Sequence, residues 1–159
     1  MISRTVPLSF IMPRHELTRG EFLIGLAEGW LDPHDVFVNS NLPELEYVKS
    51  EDLPYPIDLI RLIKNAQNVD LQSNEEKRLS WLRILLGWIF QNRENLDDPL
   101  LFVEQLYSGF NYPDEIYSLV RFNVPNDGYR PQDHSAERNR ARLMKKWKEY
   151  CNKHLYGEI

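Results

Sequence analysis

The chain has 159 residues, 42% of them apolar, and a formal net charge of −5. That length suits one domain with a core of its own, and apolar residues spread along the whole chain argue against a disordered one. A single cysteine, Cys151, excludes an internal disulfide, and the acidic balance disfavours general affinity for nucleic-acid phosphates.

The charge is unevenly placed. Residues 1–127 carry 11 Lys/Arg against 20 Asp/Glu, a balance of −9, whereas residues 128–159 carry 8 against 4, a balance of +4. The opening "MISRTVPLSFIMPRHE" does not read as a secretory leader, because Pro7 and Pro13 break its short apolar run. The longest apolar stretch, Trp81 to Phe90, contains Arg83 and falls well short of the roughly 20 residues of a membrane span. With one reduced thiol, no leader and no span, the expectation is a cytoplasmic protein.

In chain order, a short strand near Val6–Ile11 is compatible with the pattern. The first clear helix opens at Thr18, whose spacing to Glu21 is that of a capping box. Phe22, Leu23, Leu26 and Trp30 fall near one face of it, and Gly29 loosens its end. Asp32 caps a second, short helix with Pro33 at its first position. The segment from Pro43 to Pro56 is loop-like and acidic, with Glu44, Glu46, Glu51 and Asp52. A helix follows from Pro56, with Ile57, Ile60 and Ile63 or Lys64 marking its inner and outer faces.

The strongest helical signal begins at Ser73 and Glu76, again at capping-box spacing. Leu79, Leu82, Leu86 and Phe90 line one face, and Trp81, Leu85 and Trp88 widen it, so this helix is expected at the centre of the core. Asp98 and Pro99 open the next helix. Pro113, Asp114 and Glu115 open another. Asp127-Gly128 signals a turn, and Asp133 or Ser135 caps the last helix. There Leu143, Trp147, Tyr150, Cys151 and His154 or Leu155 form an inner stripe, while Arg138, Arg142, Lys145, Lys146 and Lys148 cover much of the rest. The expected fold is all-α: a single compact domain over residues 1–159, a bundle of about six or seven helices with short Pro-marked turns.

Candidate chemistry is sparse. No His pair has the i, i+4 spacing of zinc ligands on a helix, so no metal site is expected. There is no nucleophile elbow, Walker loop or dinucleotide fingerprint, and no cofactor is expected. Cys151 lies on the inward stripe and reads as a structural thiol. The pairs Glu75-Glu76, Asp97-Asp98 and Asp114-Glu115 stand at helix starts, where acids suit the macrodipole. An unrecognised enzyme would have to work with His134, Glu137 and Asp133. The reading favoured here is a protein that is not an enzyme.

Two stretches carry a family likeness: "EFLIGLAEGWLDPHDV" from Glu21 to Val36, and "PNDGYRPQDHSAERNRARLMKKWKEY" from Pro125 to Tyr150. Together they resemble an uncharacterised bacterial family, a domain of unknown function, of small helical cytoplasmic proteins. Such families often look like immunity proteins encoded beside contact-dependent or polymorphic toxins. The resemblance implies an immunity protein that binds and neutralises a cognate toxin domain by steric and electrostatic blocking. A basic nuclease toxin would be steered by the acidic body. Glu44, Glu46, Glu51, Asp52, Asp97, Asp98, Asp114 and Glu115 are the expected contacts. The alternative is a nucleic-acid-associated or regulatory helical protein acting through the basic last helix. The mark of this alternative would be salt-dependent binding to nucleic acid, lost on replacing Arg142, Lys145 and Lys146 with Ala.

Overall fold

A computed structural model describes residues 5–39 and 75–156. Every regular element among them is helical, and the fold is all-α. The helices are α1 (Leu8–Ile11), α2 (Arg19–Ala27), α3 (Pro33–Asn39), α4 (Glu75–Gln91), α5 (Pro99–Gly109) and α6 (Ala136–Cys151). Short 3₁₀ turns occupy Arg93–Asn95, Asp114–Leu119 and Pro131–Asp133, and α6 runs on into a π-turn, Asn152–Tyr156. The helix expected from Pro56 and the cap expected at Ser73 lie outside the described residues. The chain divides within α4 into two units, Ser3–Ile84 and Leu85–Ile159.

In the unit Ser3–Ile84, the expected strand at Val6–Ile11 is instead the helical turn α1. The reason is local. Val6, Leu8, Phe10 and Ile11 are all buried, and a strand would send Phe10 and Ile11 to opposite faces. Pro7 leads into the turn, and the Leu8 amide donates to Asp35 Oδ2 at 2.9 Å, so a carboxylate from α3 satisfies a free helix-start donor. The Val6 amide is held by the Trp30 carbonyl at 2.8 Å.

The capping box that opens α2 forms: Glu21 N donates to Thr18 Oγ1 at 3.3 Å, and Thr18 N donates to Glu21 Oε1 at 3.4 Å. The other Glu21 oxygen lies 2.7 Å from His15 Nε2, so this buried carboxylate is spent on local structure. At the far end Gly29 takes φ +79°, and the amides of Trp30 and Gly29 reach back to the Gly25 and Leu26 carbonyls. That is a Schellman close, which favours glycine at this position. On α2 the expected Leu26 is buried, Phe22 is half-buried, and Ile24 is buried beside them. Trp81 from α4 is completely buried, and its indole N–H donates to the Glu21 carbonyl at 2.7 Å.

In the unit Leu85–Ile159, the second half of α4 contributes Leu85, Leu86, Ile89 and Phe90 to the core. The inward stripe of α6 is as expected, with Leu143, Trp147, Tyr150 and Cys151 buried. Trp147 is 0% exposed, donates to the Leu86 carbonyl at 3.1 Å and meets Phe90 edge-on at 5.3 Å. Replacing a buried Trp by Ala costs about 3–5 kcal/mol, so this one side chain carries much of the unit's packing.

Candidate binding site

The site grows from the way the segment before α6 is tied to it. Ser135 is the cap of α6, accepting from the Arg138 amide at 3.1 Å; Asp133 instead lies in the preceding 3₁₀ turn and pairs with Arg130. Asp127 accepts from the Tyr129 amide at 3.2 Å, and Gly128 turns the chain with φ +82°. The same carboxylate meets Arg142 at 2.7 Å and Lys146 at 3.4 Å, both from α6. The Arg142 hydrogen bond, aided by the Tyr129 amide, holds the Asp127 carboxyl at about 2, below its ordinary 3.8.

Tyr129 completes the clasp. Its ring lies 4.0 Å from the Arg142 guanidinium and stacks on His134 at 4.7 Å. Its hydroxyl donates to Asn139 Oδ1 at 2.6 Å, and the Asn139 amide donates to the Pro131 carbonyl at 3.0 Å. Charged groups of the basic helix and of the turn before it are therefore spent internally. Arg142 and Lys146 neutralise Asp127, and His134 packs on a ring while Asp133 pairs with Arg130. Glu137 is exposed.

Between this strap and α6 lies a cavity of about 410 Å³. Leu100, Val120 and Leu143 give it apolar surface; Tyr117, Tyr129 and Asn139 give it polar edges; Arg121, Arg140 and Arg142 also line it. A second, shallower hollow of about 350 Å³ is lined by Arg138, Arg142, Lys145 and Lys146 with Tyr129 and Glu149.

Beside the cavity the surface is apolar. Tyr112 is 59% exposed, Phe122 62% and Val124 77%. The Tyr112 and Phe122 rings both meet the buried Tyr107 ring, at 5.3 and 6.1 Å. α5 closes with the Tyr112 amide on the Tyr107 carbonyl at 2.8 Å, and Asn111 and Tyr112 take φ +61° and +55°. Left-handed backbone disfavours a residue with a Cβ, so Tyr112 is held out in a conformation that costs about 1–2 kcal/mol. Sequence reasoning missed these three residues. "RFNVPND" offered one signal: Phe122 and Val124 are apolar in a Pro-marked stretch before the turn that leads into α6.

Of the expected contact residues, Glu44, Glu46, Glu51 and Asp52 lie outside the described residues. Asp97 and Asp114 are exposed. Asp98 does not cap α5 with its side chain; both its oxygens accept from Arg121, at 3.0 and 2.9 Å, and Arg121 also binds Glu104 at 2.6 Å. The hydrogen bond to Glu104, more than the one to Asp98, raises the Arg121 pKa. Glu115 accepts from the Tyr150 hydroxyl at 2.6 Å. Burial pushes the Cys151 thiol up to about 12, in keeping with a structural thiol. Among the described residues no group of three or more His, Cys, Asp or Glu side chains could hold a metal ion, and no helix is long and apolar enough to cross a membrane.

The structure defines an all-α protein with a candidate binding cavity and exposed aromatic side chains near it. By family, residues 8–155 match the model of an uncharacterised protein family conserved in bacteria, DUF2247, and the chain belongs to it. No curated protein and no solved structure matches the chain.

Proposed function

We propose that the protein is an immunity protein, binding a cognate bacterial toxin domain and covering its active site or substrate-binding surface. The observation that carries this reading is the exposed patch of Tyr112, Phe122 and Val124 with acids beside it. Asp114 follows Tyr112 by two residues, and the Asp98–Arg121–Glu104 network ends at the residue before Phe122. Protein interfaces place aromatic anchors centrally within a polar rim, and a few such anchors carry most of the affinity. A standard interface buries about 1,600 Å² in total, so the patch would be its centre rather than its whole. The −9 balance of residues 1–127 supports a basic toxin, drawn in by long-range attraction.

The test is co-expression. The product of the adjacent upstream gene is produced alone, with this chain, and with the chain's Phe122→Asp variant. Toxicity alone, protection by the native chain and loss of protection by the variant are expected, with helical content unchanged. A harmless upstream product, or no complex between purified partners, overturns the reading.

A second reading is supported by the basic hollow on α6: contact with nucleic acid through Arg142, Lys145 and Lys146. It is the weaker one, because Arg142 and Lys146 already face Asp127 and the Tyr129 ring is engaged by Arg142 and His134. Salt-dependent retardation of DNA or RNA, lost when these three cations become Ala, would favour it.

A further inference from the structure

We infer that the cavity between the 117–131 segment and α6 binds a small anion with a flat apolar body. The inference does not rest on the toxin-binding reading: the two sites share Val124, but the Arg140 variants test this one and the Phe122 variant tests the other, so either can fail alone. The cavity's volume of about 410 Å³ falls within the roughly 300–1,000 Å³ of small-molecule sites.

Charge selects the ligand's sign. The lining holds three arginines and no carboxylate. Arg121 is matched by Asp98 and Glu104, and Arg142 by Asp127. Arg140 has no ion pair among the described residues, so one positive charge on the lining is uncompensated. A guanidinium presents a planar fork that takes a carboxylate or a phosphate through two parallel hydrogen bonds.

Shape and polarity select the body. The polar wall groups are largely spent on one another: the Tyr129 hydroxyl on Asn139, the Asn139 amide on Pro131, the Tyr117 hydroxyl on Val124. These bonds set the walls before any ligand arrives, and pre-set walls lower the entropic cost of binding. What they leave for a ligand is mainly apolar, the side-chain surface of Val124, Pro125, Pro131, Ala136 and Leu143. A planar apolar group fits that surface while its acid reaches Arg140 on α6.

The shared chemistry is an aromatic anion, and two probes separate its sources. Indole-3-acetate carries a carboxylate and adenosine monophosphate a phosphate. Indole-3-acetamide and adenosine are their uncharged counterparts, and inorganic phosphate is the bare anion. Titration calorimetry and thermal shift are run on the full chain. At least one aromatic anion should bind saturably and raise Tm, with its uncharged counterpart at least about tenfold weaker. Arg140→Gln should weaken the anion about tenfold and leave the counterpart unchanged, and Arg140→Lys should retain part of the affinity. Arg140 is exposed, so both variants should fold, which circular dichroism checks. The inference is overturned if neither anion binds, if the uncharged compounds bind as tightly, if inorganic phosphate binds as tightly as the aromatic anions, or if Arg140→Gln changes nothing.

Discussion

Gly25→Ala opposes two effects whose magnitudes can be compared. Gly25 lies inside α2, where alanine is favoured over glycine by about 1 kcal/mol. In this fold an added Cβ would press on Trp81 Cζ2 and stand 2.8 Å from Leu31 Cδ1. Trp81 cannot simply slide away, because its indole N–H is held by the Glu21 carbonyl at 2.7 Å and its ring lies 5.4 Å from that of Trp30. Leu31 is fixed as well, since its amide is bound to the Gly25 carbonyl at 3.1 Å. Forcing a methyl into such a core costs about 1–3 kcal/mol, plus part of a hydrogen bond worth about 1 kcal/mol. The packing penalty therefore outweighs the helix preference, and a net loss of about 1–2 kcal/mol is expected. In a chain of this length that lowers Tm by roughly 2–8 °C. Urea and thermal unfolding followed by tryptophan fluorescence read it directly, the Trp30–Trp81 pair lying at the substitution. A Gly25→Ala protein as stable as the native chain, or more so, would show that α2 and Trp81 are not packed as described.

Three further outcomes are expected. Ser135→Ala removes the side-chain acceptor for the Arg138 amide and should lower stability by about 1 kcal/mol in urea unfolding; no change would mean the cap is not formed in solution. Asp127 is depressed from 3.8 to about 2, so the unfolded chain takes up this proton at higher pH than the folded one. The clasp's stabilisation is thus fully present above about 3.8 and lost as pH falls through about 2. The Tm difference between native protein and Asp127→Asn should shrink over that window, and a pH-independent difference would refute the Arg142 pairing. Tyr112→Gly relieves left-handed strain but loses the edge contact with Tyr107, so stability should stay within about 1 kcal/mol of native. Toxin protection should nevertheless fall, and a variant that protects fully would remove Tyr112 from the proposed interface.

Much of the helical framework was legible because its signals are local. Thr18 and Glu21 cap α2 by spacing alone, Gly29 closes it, and Asp32-Pro33 opens α3. The inner stripe of α6 follows from helical periodicity, and it is buried as read. Errors came where a distant group decided the outcome. Val6–Ile11 alternates enough to suggest a strand, but Asp35 and Trp30, which lie 27 and 24 residues from their partners, hold it as a helical turn. Asp98 has the spacing of a cap, yet Arg121 takes its carboxylate. Pro113 starts a 3₁₀ turn where a regular helix was expected.

The sequence by itself determined an all-α chain, an acidic body with a basic final helix, and one cysteine on an inward stripe. Each of these rests on composition or on spacings within a few turns, where the physics of capping and amphipathicity is short-ranged. Only the tertiary structure decided which charges are spent and which are free. Asp127 consumes Arg142 and Lys146, Glu104 and Asp98 consume Arg121, and Arg140 is left on the cavity wall. It alone also placed Tyr112 and Phe122 outward around Tyr107. Pairings of this kind join residues many positions apart, and their energies depend on distance and burial, which no local pattern in the chain encodes.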